Sequence, residues 1–411
     1  MPGDIIVQKY GGTSVGSVDK IKLVAKRIKR QHSRYQKIAV VVSAMSGETN
    51  RLVSLIEQVN PSLPKRSYDM AVAAGEQVSV ALMAAALEGE GLWGVGLLAS
   101  QIGIYTTSSH AKARIETIDC EKLHEIWSKQ GIPVIAGFQG VTKSGELTTL
   151  GRGGSDTSAV ALACALSAAA CEINTDVEGV YTADPRVVPA ATRVPELDFE
   201  LALEMASLGS KVLHNRCVEL AAKYQMPLVV RSTFNENEEV DTKIMSFSEK
   251  QKLEAPVVSG VTLDRNVVRV TVGGLPSKQD LISKIFVLIA ESGVNVDVIV
   301  HNQDAGMHRV AFGFTVGVED IDQTKQVLNN FEKREGLDSI DLAFEADLAK
   351  ISVVGLGMIS HPGVASRVFE VLSSEGVELK MISTSEIKIS CVIGKEKAEA
   401  AARALHRAFI Q

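Results

Sequence analysis

The first candidate for chemistry is a short glycine loop near the N-terminus. Lys9 follows an apolar run and precedes Tyr10, Gly11 and Gly12, with two hydroxyl residues next in the chain. Glycines let backbone N–H groups approach a phosphate closely, and a lysine adds a full positive charge for its oxygens. The order differs from a Walker loop. Spacing alone leaves two interpretations open: a phosphate cradle, or a tight turn with a solvated lysine.

A second loop repeats this order of apolar strand, small polar residues and helix. Ser43 follows the apolar run at residues 38–42, and Thr49 stands where the next helix begins. Ordinary helix capping explains such residues equally well. Further on, Glu76 follows a glycine among apolar residues. A carboxylate in that setting is either a partnered buried acid or a site for a ligand ammonium group.

A third loop surrounds an arginine with glycines. Arg152 lies between Gly151 and the pair Gly153 and Gly154, and Ser155 and Asp156 follow. Arginine binds a carboxylate through two parallel N–H donors, and an arginine between glycines has little use in packing. Serine and aspartate at a helix start are also typical N-caps, so this interpretation stays open.

A fourth segment, residues 174–186, contains turn signals at Gly179 and at Asp184 with the proline after it. An exposed surface loop is the simplest explanation of this segment. Lys211, in a Gly-Ser-Lys sequence, is by default a solvated charge.

The elements that must position these loops alternate between strand and helix. Short runs rich in Val and Ile predict strands buried on both faces, at residues 5–8, 38–42, 95–99, 133–136 and 228–230. Helical stretches lie between them, at residues 18–31, 51–58, 68–87 and 155–169. This alternation predicts an α/β fold, a three-layer α/β/α domain with a mostly parallel sheet. Ligands bind at the carboxyl ends of such strands, so the glycine-rich loops should converge on one edge.

The C-terminal part contains an internal repeat. Residues 268–275 are similar to residues 350–356, and residues 292–296 are similar to residues 375–379. Each copy has the order strand, helix, strand, strand, helix, which predicts two ferredoxin-like βαββαβ modules. The polar stretch at residues 235–254 is the predicted linker. The predicted domains are therefore residues 1–245, 256–340 and 341–411.

Composition excludes several classes of protein. The chain has 411 residues, 45% of them hydrophobic, and a formal net charge of −6. This balance argues against a broad surface for nucleic acid or for an anionic membrane. The five cysteines form no C-x-x-C pair, so we expect neither disulfides nor a protein metal site. The start lacks the features of a signal peptide, and the apolar stretch at residues 159–171 is too short for a bilayer, which predicts a cytoplasmic protein.

Taken together, these segments resemble the aspartokinase family. The family pattern K-[FY]-G-G-T-S corresponds to residues 9–14, G-R-G-G-S-D-T to residues 151–157, and D-V-x-G-V-Y-T-A-D-P-R to residues 176–186. The C-terminal repeat resembles the paired ACT domains of bacterial members. The resemblance spans essentially the whole chain. It implies ATP-dependent phosphorylation of the side-chain carboxylate of L-aspartate, with Mg²⁺ accompanying ATP, as the first step of lysine, threonine and methionine biosynthesis.

The resemblance also implies roles for individual residues. Lys9 would carry charge on the transferred phosphoryl group, and Asp156 would orient Lys9. Glu76 would pair with the ammonium group of aspartate and Arg152 with its α-carboxylate. The implied ATP and phosphate residues are Lys9, Tyr10, Gly11, Gly12, Ser43, Thr175, Asp176, Tyr181, Asp184, Arg186 and Lys211. The implied aspartate residues are Thr49, Glu76, Arg152, Gly153, Gly154 and Ser155.

The paired ACT modules imply feedback control by lysine, threonine or both, and a homo-oligomer assembled through these modules. The implied effector residues are Asn295, Val296, Asp297, His301, Val364, Ala365, Glu378, Leu379, Ser385 and Glu386. Modules that only dimerise the protein remain the alternative. Met245 stands just before this region, where an internal start could produce a separate C-terminal subunit.

Two other functions compete with this interpretation. Another kinase of the same fold could act on glutamate or N-acetylglutamate, but Glu76 and the ACT pair favour aspartate. An amino-acid sensor without kinase activity is the second alternative, and the presence of Lys9, Arg152 and Asp156 argues against it.

Overall fold

A computed structural model describes residues 5–209, 212–235, 241–248, 256–276, 279–303, 309–337 and 340–411. The chain divides into two units. The first contains Met1–Val180, Arg193–Ser207 and Lys211–Ser248. The second contains Tyr181–Thr192, Leu208–Ser210 and Glu249–Gln411.

The first unit is built on a sheet with the strand order β10-β12-β11-β9-β1-β2-β6-β3. Its strands are β1 (Ile5–Tyr10), β2 (Lys37–Val42), β3 (Gly94–Leu97), β6 (Ile132–Ala136), β9 (Ala170–Thr175), β10 (Glu196–Leu197), β11 (Leu228–Ser232) and β12 (Thr242–Ile244). All pairings are parallel except that of β11 with β12. The predicted mostly parallel sheet is therefore confirmed.

Helices cover both faces of this sheet. The helices are α1 (Val18–His32), α2 (Glu48–Val59), α3 (Lys65–Val72), α4 (Ala74–Gly89), α5 (Glu121–Ser128), α6 (Gly154–Ala165), α7 (Phe199–Ser207) and α8 (Asn215–Tyr224). One core joins α1 and α4 to the sheet, with Val24 and Met83 packed against Val40. On the other face, α6 is rich in alanine and almost wholly buried, because it packs against strands and against α8. The three-layer prediction is confirmed.

The predicted helix at residues 68–87 is two helices, α3 and α4, which meet at Ala73. Within the described residues, the stretch 65–89 is long and apolar enough to cross a membrane by length and composition alone, and 44% of its apolar window is buried. Val80 and Met83 of this stretch belong to the core beneath the sheet. That packing is typical of a core helix.

A small second sheet in the first unit was not predicted from the sequence. Its order is β5-β4-β7-β8, with β4 (Ile104–Thr106), β5 (Ile115–Ile118), β7 (Gln139–Val141) and β8 (Leu147–Thr149). Each strand has only three or four residues, which is too short for an alternating pattern to be visible.

The second unit contains the repeat. Its elements are β13 (Gly260–Pro276), α9 (Gln279–Glu291), β14 (Ile299–Gln303), β15 (Arg309–Val316), α10 (Ile321–Glu335), β16 (Asp341–Val354), α11 (Val364–Ser374), β17 (Leu379–Thr384), β18 (Lys388–Gly394) and α12 (Ala398–Phe409). The sheet order is β14-β15-β13-β16-β18-β17. Each copy has a hydrophobic core of its own, which contains Phe314 and Phe331 in the first copy and Val368 and Leu405 in the second.

The two copies share their long strands. Residues 268–276 of β13 pair with β15, whereas residues 260–264 pair with residues 350–354 of β16. The second copy therefore takes its fourth strand from the N-terminal part of β13, ahead of the first copy in the sequence. The domain boundaries given above stay predictions.

Candidate active site

The loops after four parallel strands meet at one edge of the large sheet. The Gly11 N–H donates to the carbonyl of Asn174 at 3.1 Å, which joins the loop after β1 to the end of β9. The Ser43 N–H donates to the carbonyl of Tyr10 at 3.1 Å, and the Gly137 N–H donates to that of Val42 at 3.0 Å. These bonds confirm the predicted convergence of the loops.

Lys9 lies at this edge and pairs with an acid on α6. Its side chain is nearly buried, and its Nζ lies 2.6 Å from Oδ1 of Asp156 in the first turn of that helix. A Cβ added at Gly11 would lie 3.4 Å from the same Nζ, and one at Gly12 would lie 2.8 Å from the carbonyl oxygen of Ala44. The glycines therefore permit a close approach of backbone and lysine at one point.

The first turn of α6 packs against the end of β6. A Cβ at Gly137 would lie 2.7 Å from Cβ of Ser155, so the contact requires glycine. The N-cap is Gly153 in a left-handed conformation with φ of 66°, so neither Ser155 nor Asp156 caps this helix. Helix N-termini carry partial positive charge and attract anions. The positive end of this helix therefore lies beside Lys9.

Glu76 is a buried carboxylate, and one of its two oxygens accepts no hydrogen bond from the described residues. It is 3% exposed, and its Oε1 accepts a hydrogen bond from the Ala44 N–H at 3.1 Å. Its Oε2 has no hydrogen-bond partner among the described residues. Burial raises the pKa of Glu76 to about 7, against the lowering effect of the N–H groups of Ala44 and of Glu76 itself. An open buried oxygen of this kind suits a ligand ammonium group.

The other residues implied for aspartate lie in nearby loops and helix starts. Thr49 is half-buried in the first turn of α2. Arg152 is exposed in the loop between β8 and α6, after Gly151 with φ of 80°. Gly154 is buried against Phe138, to which a Cβ would come within 2.7 Å. Their roles stay predictions.

The side chain of Tyr10 lies on the face of the sheet opposite to that of Lys9. The ring is fully buried in the core with α1 and α4, and the hydroxyl donates to Oε1 of Gln8 at 3.2 Å. Lys9, one residue earlier on the strand, points to α6 instead, because successive side chains alternate between faces. The Tyr10 side chain is therefore engaged in the core, and any contact of Tyr10 with a phosphate would use its backbone.

The residues implied for the nucleotide are divided between the units. In the first unit, Thr175 ends β9 and its hydroxyl donates to Oδ1 of Asp176 at 3.1 Å. Tyr181, Asp184 and Arg186 fall in a segment of the second unit. There the Arg186 guanidinium donates to both oxygens of Asp184, at 3.0 and 2.8 Å, and holds the pKa of Asp184 below its usual value.

The structure does not place every nucleotide residue with Lys9. Lys211 lies outside the described residues. For Tyr181, Asp184 and Arg186, a place in the nucleotide site stays a prediction.

Three contributors to the site were missed in the sequence. The backbone of Ala44 links Gly12 to Glu76, which no side-chain pattern can indicate. Gly137 permits the contact with Ser155, and its position directly after a buried strand was a usable signal. His214 lies against Gly153, where a Cβ would come within 2.2 Å of its ring. Burial lowers the pKa of His214, with Asp156 acting in the opposite direction.

The effector residues implied in the first copy of the repeat surround the start of β14. Asn295 and His301 are exposed and Val296 is half-buried. Asp297 forms an ion pair with Lys350, whose side chain is buried in β16.

The effector residues implied in the second copy are less uniform. Val364 contributes to the hydrophobic core, and Ala365 and Leu379 pack against it. Glu378 is exposed and pairs with Lys380 at 3.0 Å. Two further residues, Ser385 and Glu386, are exposed in the turn between β17 and β18.

Comparisons with known proteins agree with this geometry. Residues 4–232 match the model of the amino acid kinase family, and residues 351–409 match an ACT domain. The chain is 46% identical to an aspartate kinase of Stutzerimonas stutzeri and 45% identical to an aspartokinase of Geobacillus stearothermophilus, in each case over 98% of this chain and 97% of the relative.

Solved structures agree as well. Escherichia coli aspartokinase III, in complex with aspartate and ADP, superposes with a TM-score of 0.81 at 25% identity and covers 99% of this chain and 100% of that one. The same enzyme in complex with lysine and aspartate gives a TM-score of 0.74 at 26% identity, with full coverage of both chains. The chain therefore belongs to the amino acid kinase family and, within it, to the aspartokinases.

Proposed function

We propose that this chain transfers the γ-phosphoryl group of ATP to the side-chain carboxylate of L-aspartate, giving 4-phospho-L-aspartate and ADP. One observation carries the site assignment. Ala44 touches both halves of the site, since its carbonyl lies against Gly12 and its N–H binds Glu76. The glycine loop beside Lys9 and the open carboxylate are thus separated by a single residue. Such a pair suits an anionic phosphate next to an ammonium group.

The reaction needs charge compensation more than it needs a base. The side chain of aspartate has a pKa of about 3.9, so it is already an anionic nucleophile at neutral pH. Its oxygen attacks the γ-phosphorus in line with the departing ADP, and two anions must therefore be brought together. Lys9 and the N-terminus of α6 both place positive charge beside the glycine loop. We assign to these two groups the stabilisation of negative charge on the phosphoryl oxygens in the transition state.

Magnesium would enter the reaction with the nucleotide. The described residues contain no group of three or more His, Cys, Asp or Glu side chains that could hold a metal ion. Mg²⁺ commonly binds through substrate phosphates and keeps several waters. We therefore propose that ATP phosphates supply its ligands, and that the metal offsets phosphate charge there.

Selection of aspartate would depend on its two α-substituents. We assign the ammonium group to the open oxygen of Glu76 and the α-carboxylate to Arg152, with Thr49 nearby. Glutamate and N-acetylglutamate fit less well, because one has a longer side chain and the other lacks a free ammonium group.

Control and assembly are assigned to the second unit. We propose feedback inhibition by lysine, threonine or both, and a homo-oligomer joined through the ACT modules. A C-terminal subunit starting at Met245 and a cytoplasmic location belong to the same proposal. Assays with each amino acid alone and with both together test the inhibition, and unchanged rates in all three would refute it.

Trapping the acyl phosphate with hydroxylamine tests the activity directly. ATP and L-aspartate should yield aspartyl hydroxamate, whereas glutamate and N-acetylglutamate should yield little. Lys9→Ala should lower the rate by roughly 10²-fold or more, the usual cost of one electrostatic contact to the transition state. Lys22→Ala, an exposed lysine on α1, is the matched control and should keep full activity. Hydroxamate from glutamate, or near-normal turnover by Lys9→Ala, would contradict the proposal.

A further inference from the structure

A fully buried aspartate lies in α3, outside the residues assigned to ATP and aspartate. Asp69 is 0% exposed, and its carboxylate accepts hydrogen bonds from three groups. The hydroxyl of Thr149 donates at 2.5 Å, Nδ1 of His110 at 2.8 Å, and the N–H of Ala111 at 3.0 Å to each oxygen. A carboxylate only accepts hydrogen bonds, so the proton of His110 is assigned to Nδ1.

The donors come from two segments that flank the loop of Arg152. Thr149 ends β8, two residues before Gly151. Ala111 has a left-handed backbone with φ of 66°, and its carbonyl oxygen lies 3.0 Å from where a Cβ of Gly151 would stand. The Ala113 N–H also donates to the carbonyl of Thr149 at 2.9 Å. Asp69 thus clamps together the segment before Arg152 and the segment packed against it.

Arg216 reinforces the same junction from α8. Its guanidinium donates to the carbonyl of Leu150 and, at 3.0 Å, to that of Ala113. The backbone just ahead of Arg152 is therefore fixed by a buried carboxylate through Thr149 and by a guanidinium through Leu150. Two charged side chains therefore bind the backbone of one short loop, whereas connecting loops are in general more mobile than the elements they join.

We propose that Asp69 is a positioning residue for Arg152 and thereby sets the affinity for the α-carboxylate of aspartate. The proposal rests on the role assigned to Arg152 in the proposed function. Asp69 itself is not assigned a contact with the substrate. It holds the backbone segment that precedes Arg152. A displaced Arg152 would bind the α-carboxylate less well, so the affinity for aspartate would fall.

The hydrogen-bond network of Asp69 continues through His110 to Glu146 and Arg66, and Arg66 provides a control variant. Nε2 of His110 lies 3.8 Å from Oε2 of Glu146, and Arg66 donates to Oε1 of Glu146 at 2.8 Å. Arg66 is exposed and bonds only this outer member in the contacts described. Removing Arg66 should leave the clamp of Asp69 in place, because the hydrogen bonds of the carboxylate do not involve it.

The test is a double-mutant cycle with Asp69→Asn and Arg152→Ala in the full chain. Asp69→Asn should raise the KM for aspartate about tenfold, with the KM for ATP within about twofold of normal. In the Arg152→Ala background the same change should raise the KM for aspartate by less than about twofold, because coupled residues are not additive. Arg66→Ala should leave both KM values unchanged.

Isosteric variants keep the test decisive if Asp69→Asn folds poorly. Thr149→Val removes one donor at constant shape and should raise the KM for aspartate about threefold, again only when Arg152 is present. His110→Asn, whose amide reaches the place of Nδ1, should retain more aspartate affinity than His110→Ala.

The outcomes separate the two proposals. If Arg152→Ala raises the KM for aspartate and the effect of Asp69→Asn multiplies with it, the positioning role is refuted and the role of Arg152 stands. Equal rises in the KM for ATP and for aspartate would also refute the positioning role, since a general loss of structure would explain them. If Arg152→Ala leaves the KM for aspartate unchanged, both proposals fail.

Discussion

Two glutamates are buried among the described residues of the first unit, and their surroundings differ in one respect. Glu172 on β9 is 2% exposed and is fully engaged: its Oε2 accepts from Gln8 at 2.8 Å, and its Oε1 lies 3.2 Å from Nη1 of Arg231. Arg231 in turn contacts Asp241 at 2.5 Å. Glu76 is equally buried but faces no cation in the contacts described, and one of its oxygens is open.

The difference separates a structural charge from a binding charge. A buried carboxylate is stable only when it is paired and hydrogen-bonded, and Glu172 has these partners within the chain. Glu76 lacks a cation, so burial opposes its ionised form and its pKa rises to about 7. The pKa of Glu172 is raised by burial as well, but Arg231 and Gln8 act against the rise. We infer that Glu76 is completed by the ammonium group of the substrate.

The largest effect that the comparison predicts is a loss of aspartate affinity in Glu76→Ala. Removing one partner of a buried charge pair costs about 2–5 kcal/mol, so kcat/KM for aspartate should fall by roughly 10²-fold or more. The free energy of unfolding of the free enzyme should not fall for the isosteric Glu76→Gln, because the charge removed has no partner. Kinetics with aspartate and denaturant unfolding provide the two measurements. A stability loss with unchanged aspartate kinetics would show that Glu76 is structural.

Glu172→Ala should show the reverse pattern. Arg231 would lose one of its two carboxylates, and breaking a buried pair costs about 3 kcal/mol or more in unfolding free energy. The KM values for ATP and aspartate should remain close to normal in the folded fraction. Denaturant unfolding measures the first quantity, and Glu172→Gln, which keeps the shape, should lose less. A selective rise in either KM without loss of stability would remove the contrast with Glu76.

Much of this contrast could be predicted from the sequence, but not all of it. The glycine loops, the parallel sheet and the candidate ammonium site at Glu76 follow from patterns within a few residues of each other. The pairing of Lys9 with Asp156 could not be predicted from spacing, since 147 positions separate them, and only the family resemblance implied it. Asp69 was missed although it is a buried acid as Glu76 is. Asp69 lies shortly after the polar run Lys65, Arg66 and Ser67 at the start of α3, a pattern that predicts an exposed segment.

A smaller effect is expected in the pH dependence of stability and of kcat/KM for aspartate, which Glu76 should control. The folded pKa of Glu76, about 7, lies above its ordinary value of 4.5. Stability from the neutral form is therefore complete below pH 4.5 and is lost as pH rises through about 7. Aspartate binding needs the ionised form, so kcat/KM for aspartate should fall up to tenfold per unit below about pH 7. Glu76→Gln should abolish this slope, and a slope that persists in the variant would assign it to another group.

Tyr10→Phe should produce the smallest effect and tests which side of β1 faces the ligand. The hydroxyl of Tyr10 donates to Gln8, the residue that also binds Glu172, so its loss should lower the unfolding free energy by about 0.5–1.5 kcal/mol. The KM for ATP should be unchanged, because the ring lies in the core on the face away from Lys9. A KM for ATP raised several-fold at normal stability would place the hydroxyl at the phosphates instead. That result would contradict the separation of a structural face from a binding face along this strand.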